Sequence, residues 1–579
     1  MKINFQKLSL SMLVVFLCWG AVRPIFHNGF FPMHDDTQPA RVYEMAKALS
    51  YGQFPVRWVP DLGYGFGYPL FNFYAPLPYY VGSIVYLAGF DAITATKIMF
   101  IIGILLAGII MYFLGREIGG DISGLVSAVL YMYAPYHAVN IYVRGAVGEL
   151  YAYAFLPLIF LGILKIFKSI QDQKNFRLYL SKLRIGILTG SIGIAAVALS
   201  HNILGMLSGI FIAVWLVIYL IHLFFGKQKL FIIYYLLFAL LLGIGLSAFF
   251  TIPALMEKKY TRVEELTTRG SDFRMHFVYS DQLWNSSWGF AGSALGRKDG
   301  MSFKIGKFHL VLGSISLLSA FYFYKKRRIN HFQFSIFIFQ FLLFLISVFM
   351  MLGISIFIWE KIPIFAYIQY PWRFLNYTVF SLSVLAGFIF IPLKKPLQII
   401  LAVPIIIATL WLNLKYFVPK EFNQVLVEDY TSGINLRYKI SKISDEYTPK
   451  YLHLPGSAEE VVWQGISETG DYKIITSSET PVKKSYQLLS YRQASIVTNI
   501  AFFPGWQALL DGQKIKTLNS QGRILVNIPA GQHKLELILS DSPVRRFANT
   551  ISLFSLVLLV YVSLFKEKNS SWVRKLLLR

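Results

Sequence analysis

Long apolar segments recur along the chain and dominate its pattern. A helix that spans a bilayer needs about 20 largely apolar residues, and twelve segments approach that length. They lie at residues 8–26, 97–114, 121–138, 149–165, 185–200, 203–225, 230–254, 308–324, 332–358, 373–392, 396–417 and 547–565. The pattern predicts a polytopic α-helical membrane protein with about twelve transmembrane helices.

A further apolar segment, LPYYVGSIVYLAGF at residues 77–90, is shorter and begins in a proline-rich turn. Basic residues between transmembrane helices concentrate on the cytoplasmic side. If residues 77–90 do not cross and the N-terminus is cytoplasmic, Arg116, residues 165–184, the KKRR sequence at 325–328 and the basic C-terminus all lie on that side. We therefore predict a short helix along the outer face here, with both termini in the cytoplasm.

This topology places five polar segments outside the membrane. They are a large first outer loop with juxtamembrane helices at residues 27–96, a loop at 135–149, a turn at 200–202, a loop at 255–306 and a long segment at 418–545. The other side receives only short loops, which carry much of the positive charge. Candidate chemistry is therefore expected on the outer side.

The last outer segment has a different pattern from the rest of the chain. It is polar and rich in β-branched residues, and SYQLLSYRQASIVTNI, RILVNIPA and HKLELILS have the composition of strands, with turn signals at Asp511-Gly512 and Ala530-Gly531. We predict three parts: a transmembrane domain at residues 1–417, a small extracytoplasmic β-rich domain at 418–545, and a final transmembrane helix with a basic cytoplasmic tail at 546–579.

Composition supports a membrane protein and argues against nucleic acid as a partner. The chain is 55% hydrophobic and only 15% charged, and its net charge of +25 comes from Lys and Arg in short clusters between apolar segments.

The single cysteine, Cys18, excludes an intramolecular disulfide. The start combines a basic region with an apolar segment but has no signal-peptidase site after it. We therefore expect a retained first helix.

Two adjacent acids, Asp35 and Asp36, follow that first helix. An ionised carboxylate beside hydrocarbon is costly unless it is solvated or paired, so this pair is a candidate functional site. His34, Arg41 and Glu44 accompany it. Solvated loop acids are the alternative interpretation. The Gly-, Pro- and aromatic-rich sequence that follows, with Arg57 in GQFPVRW, indicates a loop that packs over the helices and lines a groove.

Further candidates lie in the other outer segments. Glu149 begins a predicted helix, where the helix dipole alone favours an acid. Arg144 could bind an anion or anchor at the interface, and Arg373, in YPWRF, could bind phosphate in a bidentate manner or reach lipid headgroups. His34, His137 and His201 could converge on a divalent metal, but their spacing matches no known ligand pattern. No Walker A, dinucleotide-binding or H-E-x-x-H motif is present in the sequence.

Taken together, these motifs resemble the GT-C superfamily of integral membrane glycosyltransferases. More closely, GQFPVRW, GYGFGYPLFNFYAPLPYY, PYHAVNIYVRGAVGE, LSHN, YPWRF and FFPGWQALLDG resemble bacterial multi-pass proteins of the YfhO type, which are also called 6-pyruvoyl-tetrahydropterin synthase-related membrane proteins. The resemblance implies transfer of a sugar from a polyprenyl-phosphate carrier to a glycan, lipid or protein acceptor, at the outer face of a bacterial plasma membrane.

The resemblance also implies roles for the candidate residues. Asp35 or Asp36 is the expected catalytic base, and Glu149 is a second acid that orients the acceptor or a metal. Substrate-binding roles are expected for His34, Arg41, Arg57, His137, Arg144, His201 and Arg373, with Arg144 and Arg373 as phosphate partners. Two other classes stay open: a lipid or polysaccharide transporter, in which the groove conducts, and a non-catalytic envelope assembly protein, which needs no acidic pair.

Overall fold

The computed structural model describes residues 5–171, 175–225, 231–263, 265 and 271–564. Over these residues it is mainly helical, with a β-rich part before the last helix. The α-helices are α1 (Phe5–Leu17), α2 (Trp19–Val22), α3 (Gln38–Ser50), α4 (Leu70–Phe73), α5 (Leu77–Leu87), α6 (Ala92–Gly119), α7 (Asp121–Met132), α8 (Pro135–Ala138), α9 (Val147–Gln171), α10 (Phe176–Ser200), α11 (Asn202–Phe225), α12 (Phe231–Glu257), α13 (Ser280–Asn285), α14 (Lys307–Lys325), α15 (His331–Met351), α16 (Ile356–Lys361), α17 (Leu375–Phe388), α18 (Lys395–Asn413), α19 (Glu428–Thr431), α20 (Ser441–Ile443) and α21 (Pro543–Leu564).

The predicted apolar segments are largely helical, but not all of them reach the length of a span. Among the described residues, eight helices are long and apolar enough to cross a membrane: α6, α9, α10, α12, α14, α15, α18 and α21. The segment at 121–138 is interrupted after Met132, and the segment at 332–358 is interrupted after Met351. A polytopic helical architecture is therefore confirmed, and the count of twelve stays a prediction.

Glycines let the long helices approach closely. A Cβ atom added to Gly162 of α9 would lie 2.3 Å from the backbone nitrogen of Gly190 in α10. Likewise, a Cβ atom added to Gly115 of α6 would lie 2.9 Å from the Cα atom of Gly124 in α7. Small residues allow this kind of backbone contact between helices in membranes, where apolar surface gives no driving force of its own.

Helix α17 forms the centre of the bundle. All of its residues are buried, and its neighbours include α7, α14 and α15. A short 3₁₀ helix, Pro371–Phe374, precedes it directly and carries Arg373 to the end of the bundle where α9 begins. The fully buried α17 therefore gives the adjoining polar residues a rigid support.

Helix α5 accounts for the short apolar segment at residues 77–90. Its 11 residues correspond to about 16 Å of helix, whereas a bilayer core is about 30 Å thick. A Cβ atom added to Gly82 would meet Val42 of α3 at 2.7 Å and Met99 of α6 at 3.1 Å. Helix α5 is thus packed between two other helices and is too short to span, while its position along the outer face stays a prediction.

The β-rich part consists of two antiparallel sheets. Its strands are β1 (Tyr472–Glu479), β2 (Lys483–Ser490), β3 (Ala494–Ala501), β4 (Trp506–Leu510), β5 (Gln513–Ile515), β6 (Leu518–Ser520), β7 (Arg523–Ile528) and β8 (Gly531–Leu539). One sheet has the order β1-β2-β8-β4-β5 and the other β3-β7-β6. Residues from both sheets, such as Leu535 and Val526, share one apolar core.

The first outer loop takes part in that core. Trp58, Tyr64, Phe66 and Phe73 are buried with the strand residues, and the N–H of Ala501 in β3 donates to the carbonyl of Phe66 at 2.9 Å. The β-rich part is therefore packed on the first outer loop, and residues 418–471 between α18 and β1 run along the same loop as short helices and turns.

Candidate functional site

Glu149, in the first turn of α9, lies at the centre of a buried polar cluster. Its Oε1 atom accepts hydrogen bonds from Arg144 Nη2 at 2.8 Å and from Arg373 Nε at 3.0 Å. Its Oε2 atom accepts from the Tyr136 hydroxyl at 3.2 Å and from Asn376 Nδ2 at 3.4 Å. No part of the Glu149 side chain is exposed. The carboxylate is thus fully occupied by its neighbours and serves as their common acceptor.

A π-helical turn, Val139–Val143, sets the position of Arg144. The N–H of Arg144 donates to the carbonyl of Val139 at 2.9 Å, and the Arg144 Nη1 atom donates to Asn140 Oδ1 at 2.7 Å. Gly145 follows with a φ of +61°, a conformation that glycine adopts without steric cost. Turns of this kind interrupt helices at functional sites with unusual frequency, and here the turn aims the guanidinium at Glu149.

Arg373 is held from the other side of the cluster. Its Nη1 atom donates to the carbonyl of Ile368 at 2.6 Å and to Gln369 Oε1 at 3.1 Å. The neighbouring ring of Trp372 lies 4.5 Å from the Arg144 guanidinium carbon, at a distance that suits a cation–π contact. Two guanidinium groups therefore face one carboxylate, which leaves one positive charge in excess.

Asp35 lies against this cluster because its loop pairs with the Arg144 loop. The N–H of His34 donates to the carbonyl of Val143 at 3.2 Å, and the N–H of Asp35 donates to the carbonyl of Arg144 at 3.1 Å. Burial opposes the charged form of the Arg144 guanidinium. The charges of Glu149 and, more weakly, of Asp35 outweigh this effect and raise the pKa of Arg144. The Asp35 side chain is half-buried, and its carboxylate accepts no hydrogen bond from the described residues.

Asp36 has a different environment. Its Oδ1 atom accepts a hydrogen bond of 2.8 Å from the hydroxyl of Tyr430 in α19. Burial raises the pKa of Asp36, and this hydrogen bond offsets the rise only in part. The two adjacent acids are therefore not equivalent, since Asp36 has a protein partner while Asp35 is open to a ligand.

Arg41 connects the first outer loop to residues 444–446, which the sequence did not single out. Its Nη2 atom donates to Ser444 Oγ at 2.9 Å, and its Nη1 atom donates to the Tyr79 hydroxyl at 3.3 Å. Glu446 Oε1 lies 4.0 Å from Arg41 Nη2. Burial raises the pKa of Glu446, against the effect of Arg41. The only sequence signal for this segment is the adjacent acids Asp445-Glu446 within a polar stretch.

Of the predicted histidines, the structure brings two to the border of this site. His201 Nε2 lies 3.8 Å from Glu149 Oε1, and His201 Nδ1 accepts the N–H of Leu204 at 3.3 Å. The exposed ring of His34 has its Nε2 atom 3.1 Å from the carbonyl oxygen of Phe290. His201 therefore flanks the Glu149 cluster, and His34 connects the Asp35 loop to the loop between α13 and α14.

Two predicted substrate-binding residues lie outside this site. His137 is buried, with Nδ1 2.7 Å from the carbonyl of Met132 and its ring stacked on Tyr153. Arg57 donates to Asn72 Oδ1 at 3.2 Å and to Asn549 Oδ1 of α21 at 2.8 Å. Both side chains are used by local packing or by a separate network, so neither joins the cluster around Glu149.

The three histidines have different partners and do not form one group. In the described part of the chain, no set of three or more His, Cys, Asp or Glu side chains is placed to hold a metal ion.

Comparison with known families identifies the family of the chain. Residues 71–417 match the family model of the 6-pyruvoyl-tetrahydropterin synthase related domain, which is described as a membrane protein. The match spans more than half of the chain, so the protein belongs to this family, and the family indicated by the sequence motifs is confirmed. An uncharacterised protein of Lactococcus lactis subsp. cremoris is 25% identical over 286 residues, which are 48% of this chain and 44% of that protein. The chain thus matches less than half the length of this relative.

Among solved structures, the oligosaccharyltransferase of Archaeoglobus fulgidus is similar to the chain. Its apo form gives a TM-score of 0.44 at 12% identity, with 79% of this chain and 61% of that chain covered. The form tethered to an acceptor peptide gives 0.44 at 14% identity, with the same coverage. The complex with an inhibitory peptide and dolichol-phosphate gives 0.36 at 12% identity, with 80% and 62% covered. More than a third of the oligosaccharyltransferase is unmatched in each alignment.

Proposed function

We propose that this member of the 6-pyruvoyl-tetrahydropterin synthase related membrane proteins is a GT-C-type glycosyltransferase. It moves a sugar from a polyprenyl-phosphate carrier to an acceptor at the outer face of a bacterial plasma membrane. The observation that carries the proposal is the half-buried Asp35 carboxylate, which accepts no hydrogen bond from the described residues and whose charge acts on the buried Arg144 and Arg41. A phosphate leaving group needs no protonation, so transfer from it requires a base for the acceptor and cations for the phosphate.

In the proposed reaction, Asp35 is the general base. It takes the proton from an acceptor hydroxyl while the oxygen attacks the anomeric carbon of the sugar. The bond between that carbon and the phosphate oxygen breaks, and the polyprenyl phosphate leaves with the electron pair. Attack from the face opposite the phosphate inverts the anomeric configuration.

The arginines supply the electrostatic part of the proposal. Arg144 and Arg373 share Glu149, and their excess positive charge stabilises the departing phosphate. A guanidinium offers several donors in a fixed plane. Here Glu149, Asn140 and the Ile368 carbonyl use some of those donors and hold both side chains in place. Glu149 thus acts in the proposal as the group that positions the arginines and not as a proton acceptor.

The orientation in the membrane follows from the same proposal. Asp35, the start of α9 and residues 418–545 share one side of the bundle, which we assign to the outside, with both termini in the cytoplasm. In the proposal the lipid-linked donor reaches the site from the bilayer, and we assign to the β-rich part the role of holding a glycan, lipid or protein acceptor.

Lipid extracts from cells that lack the protein test the proposal. We expect one polyprenyl-phosphate-linked sugar to accumulate, because its consumption has stopped, and we expect the wild-type gene to restore its level. Mass spectrometry of the extracts identifies the sugar. An unchanged donor pool in cells that nevertheless show an envelope defect would contradict the proposal and favour a transporter or an assembly protein.

A further inference from the structure

Residues 444–447, which we call the second wall, lie near Asp35, whose charge acts on Glu446. Ser444 is bonded to Arg41, and Glu446 lies 4.0 Å from the same guanidinium. The N–H of Tyr447 donates to the Tyr68 hydroxyl at 3.0 Å, which fixes this segment on the first outer loop. Because the charge of Asp35 also acts on Arg41, this buried side chain connects the second wall to the surroundings of Asp35.

Some hydrogen-bonding groups of Arg41 and Glu446 in this wall have no partner, or only a weak one, in the part of the chain that the structure describes. The Arg41 side chain is 5% exposed, yet its Nε atom has no hydrogen-bond partner among the described residues. Glu446 is 18% exposed and receives only a long bond of 3.4 Å from Ser444 Oγ. A buried donor without a partner costs free energy. A ligand oxygen that accepts a hydrogen bond from Arg41 Nε would remove this cost.

Aromatic side chains border the same wall. Tyr74 and Tyr447 are half-buried and meet edge to face, with ring centroids 6.4 Å apart. The Arg41 guanidinium carbon lies 4.1 Å from the centre of the Tyr74 ring. Partly exposed tyrosines offer an apolar face together with a polar edge, and a saccharide presents CH groups and hydroxyls in the same combination.

We propose that Glu446, with Arg41 and Ser444, forms the acceptor subsite opposite Asp35 and that this subsite binds an uncharged saccharide hydroxyl. The inference rests on the proposed glycosyl transfer. Glu446 acts in its neutral form and donates a hydrogen bond to the acceptor, so that one hydroxyl lies near Asp35. The negative charge of Asp35 disfavours an anionic group at the position of the attacking hydroxyl.

The protonation of Glu446 depends on the charged groups around it. Arg41 faces it from α3, Asp35 from the preceding loop and Asp445 from its own segment, while Tyr68, Tyr74 and Tyr447 surround it. Burial, together with the two aspartates, raises the pKa of Glu446 against the effect of Arg41. Neutral Glu446 is therefore favoured at a pH where a solvated glutamate is already ionised.

Two substitutions separate this role from a structural one. Glu446→Gln keeps a neutral group that donates a hydrogen bond, so we expect donor consumption within about threefold of wild type, whereas Glu446→Ala lowers it about tenfold or more. Wild-type activity falls as rising pH ionises Glu446, and that fall is absent in Glu446→Gln. Glu459→Gln, at an exposed acid outside this cluster, is the control and leaves the rate unchanged.

The assay uses membranes that contain the full-length protein and measures loss of radiolabelled sugar from the polyprenyl-phosphate pool at a series of pH values above the usual pKa of a glutamate. Binding of undecaprenyl phosphate to the purified variants checks folding and the donor site, and we expect it to be unaltered by Glu446→Ala. A Glu446→Ala variant as active as wild type, or a Glu446→Gln variant as inactive as Glu446→Ala with normal phosphate binding, would overturn the inference.

The acceptor class has its own readout. After removal of lipid, the labelled wild-type product should pass through an anion exchanger, and retention on it would overturn the assignment of an uncharged acceptor. If Asp35→Asn consumes donor normally, the proposed transfer itself fails. If Asp35→Asn is inactive while every Glu446 variant is normal, only the acceptor subsite fails.

Discussion

The backbone N–H of Asp35 donates a hydrogen bond of 3.1 Å to the carbonyl oxygen of Arg144. This bond ties the loop of the candidate base to the loop that carries one of the two buried arginines. Gln38 adds a second connection, since its Nε2 atom donates to the carbonyl of Gly145 at 2.9 Å. The position of the Asp35 carboxylate therefore depends on the shape of the turn at residues 144–146.

Gly145→Ala tests that dependence. A Cβ atom at Gly145 would lie 2.1 Å from Met33 Sδ, whereas one at Gly52, which also has positive φ, meets nothing within 4 Å. Both substitutions carry a backbone cost of about 1–2 kcal/mol, but only Gly145→Ala displaces the Asp35 loop. We expect Gly145→Ala to lose donor consumption at normal membrane abundance and Gly52→Ala to keep it. Equal activity of the two variants would contradict the coupling.

Glu149→Gln tests whether Glu149 holds the arginines or reacts. Removal of this charge leaves Arg144 and Arg373 buried without their shared counter-ion, which costs about 3–5 kcal/mol for a buried pair. Glu117→Gln is the control, because Glu117 contacts Lys165 and Lys168 at a site that is 23% exposed, where such pairs contribute about 1 kcal/mol or less. We expect a clear loss of thermal stability in detergent only for Glu149→Gln. Lost activity with unaltered stability would indicate a direct catalytic role.

Glu44→Gln has an effect on stability that depends on pH. Glu44 is fully buried, and its carboxyl group lies beside the Asp61 carboxylate. Burial, followed by the charge of Asp61, raises its pKa well above the usual value. Burial opposes the charged form of Asp61, but Lys47 and Arg437 bind its carboxylate. Their effect is larger, so the pKa of Asp61 is lowered and the group keeps its charge.

The sign follows from the raised pKa of Glu44. The neutral carboxyl stabilises the fold fully below the pKa of an unfolded glutamate, and this contribution is lost as pH rises through the folded pKa. Glutamine stays neutral, so Glu44→Gln should melt higher than wild type at alkaline pH, and the difference should shrink toward acidic pH. Melting curves of the purified proteins across pH measure this. A difference that does not vary with pH would show that Glu44 is not the titrating group.

The topology is open to a labelling experiment. Cys18 is buried, and its Sγ atom lies 2.9 Å from Met132 Sδ. On a Cys18→Ala background, single cysteines at Ala88 and Arg177, which are both exposed, bracket α6, α7 and α9. We expect an impermeant thiol reagent to label the Ala88 site in intact cells and to reach the Arg177 site only after the membrane is opened. Labelling of the Arg177 site in intact cells, with the Ala88 site protected, would show that α5 crosses.

The helices and strands could be predicted because their signals are local. Length and apolarity marked the long helices, and alternation with Gly-containing turns marked β2, β3, β7 and β8. Lengths of individual helices were less predictable, since Pro135 and the turn after Met351 interrupt segments that are apolar throughout. Local patterns do not show where tertiary packing ends a helix.

The site could be predicted only in part because its hydrogen bonds join distant residues. Asp36 and Tyr430 are 394 positions apart, and Glu149 and Arg373 are 224 apart. The sequence could not distinguish Asp35 from Asp36, or show that Glu149 is occupied by arginines. The sequence also could not distinguish Glu446 from ordinary loop acids. What distinguishes Glu446 is its proximity to Arg41, which lies in a distant part of the chain.

The rate of donor consumption by Asp35→Asn, compared with Asp36→Asn, tests the central claim most directly. Asparagine preserves the shape of each side chain but cannot take a proton, so at Asp35 the loss of a general base should lower the rate by about 10² to 10⁴. At Asp36, asparagine can still accept the Tyr430 hydroxyl, so the rate should stay near wild type. Membranes with equal amounts of each protein and a radiolabelled polyprenyl-phosphate sugar pool give the measurement. A wild-type rate in Asp35→Asn, or a larger loss in Asp36→Asn, would contradict the assignment of Asp35 as the base.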